Sequence, residues 1–285
     1  MSLSSSGRRG LPERAPDPLP IAVVDNHVHL DITRDGDEPL DVAEAIARAE
    51  AVGVTRLVQV GCDLAGIAFT MAAVDAHPEI VGGIALHPNE VPKLAAAGTL
   101  SAAYGIVERD AAHERIRVIG ETGLDYFRTP PEGRAVQQDG FRWHIDLAKR
   151  LGKALQVHDR DAHDDVLRIL DEEGAPERTV LHCFSGGPDM ARECVTRGYY
   201  LSFAGTVTFK NAKALRDALA ATPLDRVLVE TDAPYLTPHP HRGATNASFL
   251  VPHTIRAMAG VLNVDVPTLC RAVADNSERV YGTWS

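Results

Sequence analysis

The sequence predicts a single (β/α)8 barrel of the TIM type, and three observations predict it. Short runs rich in Val, Ile and Leu alternate with Ala-rich amphipathic stretches along the chain, and alternation at that spacing implies parallel strands joined by crossover helices. Five of the apolar runs finish on His, Asp or Glu, as expected if strand ends converge at the mouth of a closed barrel. Length alone permits one domain or two in 285 residues, but no linker divides the alternating region. An open doubly wound sheet also fits the alternation. It is disfavoured because the polar strand ends run from the first strand to the last, and closure is what brings them together.

In order along the chain, residues 1–19 are rich in Ser, Arg, Pro and Gly without periodicity and read as a disordered tail. Residues 20–285 form the barrel domain. A first strand over 21–27 contains Ile21-Ala22-Val23-Val24-Asp25 and leads into His27 and His29, and an Ala-rich helix is placed over 40–52. The strands at 55–61 and 80–86 flank a helix over 64–76, and a further helix covers 100–114. The run Ile116-Arg117-Val118-Ile119-Gly120 ends on Glu121 and precedes a long helix over 132–151. Ala154-Leu155-Gln156-Val157 ends on His158, and Thr179-Val180-Leu181 ends on His182, with helices over 162–173 and 188–197 behind them. A strand over 199–203 and a helix over 211–220 precede Val227-Leu228-Val229-Glu230-Thr231, which ends on Asp232. Helices over 249–262 and 266–281 close the chain.

Bulk properties narrow the function. A net charge of -10 and a pI near 5.6 suit a soluble protein with no general basic field for gripping polyanions. A nucleic-acid substrate would therefore need local cations or bound metals. No apolar run approaches the roughly 18 residues of a membrane span, and no hydrophobic stretch follows Arg8 and Arg9 to make a secretory signal. Cys62, Cys183, Cys194 and Cys270 are widely spaced without a Cys-x-x-Cys pair, so a reduced, cytoplasmic protein is expected.

Individually the polar residues have modest readings. His27 and His29 are two apart, so an extended strand points both to one side; they are metal ligands or polar residues where a strand leaves the core. Glu121 has two oxygens and can bridge two cations that would otherwise repel, or it forms a rim salt bridge with Arg117 or Arg128. His158 and His182 are packing residues or ligands: neutral imidazoles suit Zn²⁺, and the carboxylates keep Mn²⁺ and Mg²⁺ open. Asp232 is placed to ligate a metal and to accept a proton from attacking water. Glu230, one layer deeper, is either a partner that orients a ligand or half of a buried ion pair. Arg160 shares a face with His158 and either clamps a phosphate or pairs with Asp159 or Asp161. His87 contacts substrate from a loop, and Arg242 does so from the Pro-rich segment that contains His239 and His241. No phosphate loop, nucleophile elbow or His-Glu-x-x-His helix is present. Neither Lys149 nor Lys153 ends a strand, so a bridging role falls to Glu121.

Together these segments resemble the TatD-type metal-dependent deoxyribonucleases, a branch of the amidohydrolase-like barrels. The resemblance runs from about Ile21 to the C-terminus. It rests on Asp25-Asn26-His27-Val28-His29-Leu30, Gly120-Glu121-Thr122-Gly123-Leu124-Asp125-Tyr126, His158-Asp159-Arg160-Asp161-Ala162, His182-Cys183-Phe184-Ser185-Gly186 and Glu230-Thr231-Asp232-Ala233-Pro234-Tyr235-Leu236. Val207-Thr208-Phe209-Lys210-Asn211-Ala212 is similar to another family segment. The resemblance implies a two-metal site with His27, His29, Glu121, His158, His182 and Asp232 as ligands, and hydrolysis of DNA phosphodiesters, often from the 3′ end. Asn246-Ala247-Ser248 stands where the family often has Asn-Glu-Pro, which puts family substrate contacts in that loop in doubt. The expected protein is thus a DNA hydrolase using two divalent ions (Mg²⁺, Mn²⁺ or Zn²⁺), with DNA in single strands or at 3′ ends as its partner and no membrane or obligate protein partner. Esters of aminoacyl-tRNA or lactones are the alternative substrates, and a metal-binding regulator without turnover is the alternative class.

Overall fold

The computed structural model describes residues 10–34, 36, 37 and 40–284. Eight strands lie side by side in sequence order: β1 (Val23–Val28), β2 (Val54–Gly61), β3 (Ile80–Ile84), β4 (Ile116–Asp125), β5 (Ala154–Arg160), β6 (Thr179–Leu181), β7 (Tyr200–Phe203) and β8 (Val227–Val229). All seven neighbouring pairs are parallel. Beyond the end of β8, Ala233 bridges to Val28, and the His29 N–H donates to the Ala233 carbonyl at 2.9 Å. The sheet is thereby nearly closed into the expected (β/α)8 barrel.

The helices are α1 (Val42–Glu50), α2 (Leu64–Ala76), α3 (Glu90–Ala96), α4 (Leu100–Ala111), α5 (Pro131–Leu151), α6 (His163–Glu173), α7 (Pro188–Thr196), α8 (Lys213–Ala220), α9 (Val251–Leu262) and α10 (Val266–Tyr281). Their ends follow local chemistry. Asp41, Asp63 and Asp265 cap α1, α2 and α10, each side chain accepting a backbone N–H from the first turn. α5 begins with Pro131 and stops at Gly152, whose φ of 60° a residue without Cβ adopts readily.

Parallel strands covered by helices are buried on both faces, which explains their nearly continuous apolar runs. Val24, Val58, Val81, Val118, Val180 and Leu228 turn into one cluster with Tyr281 and Trp284. Alternate residues such as Val23, Leu57, Ile80 and Leu155 join the helices in the main core. The period of two thus separates the two cores.

Several boundaries differ from expectation. β4 and β5 continue past Glu121 and His158 because they pair with each other as far as Asp125 and Arg160. β6 and β8 stop sooner, so His182 and Asp232 lie just beyond their strands. α3 was not expected from the sequence; its Pro92 falls in the first turn, where the missing N–H costs no helical bond. Of the expected disordered tail, residues 1–9 lie outside the described residues. Residues 10–19 are instead fastened to the barrel. Arg48 and Arg256 donate to the Pro12 and Asp17 carbonyls, Leu19 N–H bonds Val52, and the Leu19 side chain is buried. Composition misses this because the partners are cations and carbonyls elsewhere in the chain. Among the described residues no single helix is long and apolar enough to cross a membrane.

One buried imidazole ties the fold to pH. His144 on α5 accepts the Leu86 N–H at Nε2 (3.1 Å) and donates from Nδ1 to the Gly140 carbonyl (2.7 Å). Burial lowers its pKa from 6.5 to about 4, against the pull of the Gly140 bond. Between those values the unfolded chain takes up a proton that the folded one refuses, so stability falls as pH drops from 6.5 towards 4. Urea unfolding should show a loss on the order of 2 kcal/mol between pH 7.5 and 5 attributable to this residue. His144→Gln, which keeps an acceptor but does not titrate, should flatten that part of the profile. An unchanged profile would remove His144 from the account.

Candidate metal centre

β1 carries His27 to the barrel mouth, and its neighbours decide what the ring offers. The His27 Nδ1 lies 2.8 Å from Gln156 Oε1, and the His29 Nδ1 lies 2.8 Å from the Val60 carbonyl. Gln156 is held in that orientation because its amide nitrogen donates to the Asn26 carbonyl at 2.9 Å. Both partners accept, so each Nδ1 carries a proton and each Nε2 presents a lone pair in the neutral ring. Those two Nε2 atoms face each other at 3.1 Å. Two lone pairs at that distance repel unless a cation stands beside them or one ring is protonated. Burial works against protonating His29, but the Asp232 hydrogen bond and charge, with Glu121 and Asp31, carry its pKa up to about 9. Burial, then His182 and His29, hold His27 well below its ordinary value.

Glu121 sits between two groups of imidazoles. Its Oε2 is 3.7 Å from His27 Nε2 and 3.8 Å from His29 Nε2. Its Oε1 is 2.7 Å from His182 Nε2, 2.5 Å from His158 Nδ1 and 3.6 Å from His87 Nε2. The carboxylate thus offers one oxygen to each group. Burial opposes its ionisation, but His182, His87 and His158 outweigh burial and hold it well below the usual carboxylate range. The close approach of β4 to β5 here needs glycine: a Cβ on Gly123, at φ +137°, would stand 2.1 Å from the His158 carbonyl oxygen. The alternative of a rim salt bridge is not realised. Arg117 turns to the Thr283 carbonyl, and no ion pair joins Arg128 to Glu121 among the described residues.

Asp232 follows β8 in the left-handed region, at φ 54°, and its N–H donates to the His27 carbonyl at 3.0 Å. The preceding Thr231 is pinned by Asp25, which accepts its N–H (2.8 Å) and hydroxyl (2.6 Å). Asp232 Oδ1 consequently stands 3.6 Å from His29 Nε2 and 3.9 Å from His27 Nε2. Metal bonds of 2.0–2.2 Å give a tetrahedron an edge of about 3.4 Å. The separations of 3.1–3.9 Å among these donors suit such an ion. On the other side, Glu121 Oε1, His158 and His182 offer a second donor set. His158 also has a buried Nε2 without a hydrogen-bond partner, 3.5 Å from Asp125 Oδ2.

His87 touches the same carboxylate but is set up differently. Its Nδ1 accepts the Asn89 N–H at 3.0 Å, which leaves the proton on Nε2. Burial lowers its pKa to about 3, with Glu121 pulling the other way. A neutral ring with an N–H aimed at the centre is a donor rather than a ligand.

Glu230 has His182 as its partner. Its Oε1 lies 3.2 Å from His182 Nδ1 and accepts the Cys183 N–H at 2.7 Å. It therefore fixes which His182 nitrogen faces Glu121. Groups that orient a ligand in this way typically matter by about 10- to 100-fold in metal affinity or activity. Glu230→Gln should lower metal affinity by that order, measured by competition with a coloured chelator. An unchanged affinity would leave Glu230 as a purely structural residue.

The six expected ligands therefore gather at the C-terminal ends of the strands. Arg160 is exposed, with its guanidinium 4.1 Å from the Phe127 ring centre, and among the described residues no ion pair ties it to Asp159 or Asp161. Asp159 instead pairs with His163 at 2.7 Å. Arg242 lies 4.0 Å over Phe209. His239 meets Phe209 and His241 meets His253, so both stand outside the ligand groups. The sequence reading missed Gln156, although its place two residues before His158 puts it on the same face. It also left Cys62 unassigned; the thiol donates to Glu121 Oε2 at 3.3 Å, and nothing in its local sequence signals that.

The chain has clear relatives among known proteins. Residues 24–282 match the family described as TatD related DNase. An uncharacterized metal-dependent hydrolase TatD of Mycobacterium tuberculosis is 43% identical over 266 residues, covering 91% of this chain and 98% of the relative. The uncharacterized metal-dependent hydrolase YcfH of Escherichia coli K12 is 38% identical over 262 residues, covering 91% and 95%. Among solved structures, the TatD homolog YjjV of Escherichia coli superposes with a TM-score of 0.79 at 24% identity, covering 92% of this chain and 98% of its own. The Escherichia coli phosphotriesterase homology protein, complexed with phosphate in its active site, has a TM-score of 0.66 at 15% identity, covering 92% and 99%. At these identities the two structures speak for the barrel fold.

Proposed function

The chain belongs to the TatD-related DNase family of metal-dependent hydrolases, and from that premise we propose that it hydrolyses DNA phosphodiesters from accessible 3′ ends. The observation that carries this reading is the Glu121 carboxylate, one oxygen towards His27 and His29, the other towards His158 and His182. A shared anion between two donor sets is what a pair of divalent ions needs. The imidazole-rich donors suit Zn²⁺ and related transition ions better than Mg²⁺. When bound, such ions polarise a phosphoryl oxygen and acidify water near neutral pH.

The protein groups complete the reaction. Asp232, partly exposed at the mouth, accepts the proton of the attacking water. Arg160, exposed two residues beyond His158, neutralises the non-reacting phosphate oxygens. His87 donates its Nε2 hydrogen to substrate oxygen. Arg242 meets the strand further out on the rim. Because the chain carries a net charge of -10, binding should depend weakly on salt.

The test is a screen of metal-loaded protein against single-stranded DNA, duplexes with recessed and protruding 3′ ends, aminoacyl-tRNA and lactones. DNA cleavage should disappear on chelation and return with Zn²⁺, Mn²⁺ or Mg²⁺. Cleavage of lactones or aminoacyl esters without cleavage of any DNA would overturn the assignment.

A further inference from the structure

We propose that Phe127 and Tyr235 form a stacking platform for unpaired nucleobases beside the scissile phosphodiester, an inference that rests on the phosphodiesterase reading above. Among the described residues the exposed large apolar side chains are Phe127 (63%), Tyr235 (45%) and Leu64 (38%). All three lie on one face of the barrel. Phe127 follows β4, Tyr235 follows the end of β8, and Leu64 opens α2 just after β2. That is the face where the ligands gather. Apolar exposure is ordinary when scattered over a surface, and its concentration at one mouth points to something that covers it.

Both rings are exposed, with Arg160 over one face of Phe127, and their backbones are held in place. Tyr126 N–H bonds the Arg160 carbonyl at 2.9 Å, Arg128 N–H bonds Asp125 Oδ1 at 2.9 Å, and Thr129 N–H bonds the Asp125 carbonyl at 3.2 Å. Phe127 thus projects from a fixed turn two residues after Asp125, whose Oδ2 stands 3.5 Å from His158. Tyr235 N–H bonds the Asp232 carbonyl at 2.9 Å, and the Tyr235 carbonyl accepts from Asn246 Nδ2 at 2.6 Å. Each ring is therefore carried on a rigid turn leading directly from a residue of the centre.

The chemistry around the rings selects the occupant. Arg160 lies 4.1 Å from the Phe127 ring centre and keeps its charge at the surface. An aromatic face beside a guanidinium is the pairing that binds single strands, the ring taking a base and the cation the phosphate next to it. Every base has a π-face, so such a platform is tolerant of sequence. Paired bases inside a duplex stack do not offer that face. The inferred substrate is accordingly a single strand or a frayed 3′ end, and a lactone would leave both rings uncovered.

The experiment uses metal-loaded full-length protein and two single strands of equal length, one normal and one abasic at its 3′-terminal nucleotides. Base–aromatic stacking predicts that Phe127→Ala and Tyr235→Leu each raise KM for the normal strand by between about 5-fold and about 150-fold, with the loss carried mainly in KM. Wild type should show a similarly raised KM for the abasic strand, and the substitutions should add little there. Unchanged KM values, or equal use of both strands by wild type, would overturn the platform while leaving DNA cleavage in place. If wild type cuts no DNA, anisotropy of a labelled single strand decides. Weaker binding by Phe127→Ala than by wild type supports the platform, and equal binding overturns it together with the phosphodiesterase reading.

Discussion

Glu121→Gln is expected to deplete the metal centre and lower turnover by at least about 10³. Glutamine keeps the volume but replaces an anion with a neutral amide that offers only one strong acceptor. In this barrel one carboxylate serves two imidazole groups, with Oε1 2.7 Å from His182 and Oε2 3.7 Å from His27. The other carboxylates at the mouth are placed differently: Asp232 approaches His27 and His29, Asp125 approaches His158, and Glu230 meets His182 at the Nδ1 that faces away from Glu121. Loss of metal-derived charge stabilisation is worth several kcal/mol, and each 1.4 kcal/mol is a factor of ten. Elemental analysis of the purified variant and turnover across a metal titration give the answer. Full metal content with near-normal turnover would mean that Glu121 is not the shared ligand.

Asp232→Asn should cost about 10²–10⁴ in rate if Asp232 acts as the base. The substitution is gentle on the fold, because Asn tolerates the left-handed backbone that Asp232 adopts at φ 54°. His27, His29 and Glu121 remain to hold an ion on that side. Retained metal with lost turnover separates proton transfer from ligation. Near-normal turnover with full metal content would remove Asp232 as the base, and joint loss of metal and turnover would establish it as a ligand and return the base to an unassigned group. Glu230→Gln should be milder, since Glu230 reaches the centre only through His182.

The parts of the site readable in the sequence are those that obey a period. His27 with His29, and the polar ends of β4, β5, β6 and β8, follow from side-chain alternation and from apolar runs that terminate on donors. What escaped depends on partners distant in sequence. Whether Glu121 met Arg117, Arg128 or histidines was undecidable until closure set it beside His182, 61 residues away. Glu230 had two equal readings until His182 appeared 48 residues away. Gln156 fixes the His27 tautomer across 129 residues, and Arg48 and Arg256 anchor a segment whose composition reads as disorder. α3 escaped because seven residues with an internal proline give too short a pattern.

The meeting of β1 and β8 has a consequence for how the barrel breathes. Here the ladder thins to a bridge at Val28 and Ala233, and side chains do much of the joining: Asn26 Nδ2 to the Val229 carbonyl at 2.7 Å, and Asp25 to Thr231. A seam with few main-chain bonds is where local opening starts. His27 and His29 stand on one lip and Asp232 on the other. An ion held by all three is a clasp across the weakest line of the fold, worth about 4 kcal/mol when its concentration is a thousand times Kd. Chelation should therefore quicken amide exchange first at His29 and Asp232, whose N–H groups cross that line, while the paired centres of β2 and β3 keep their protection.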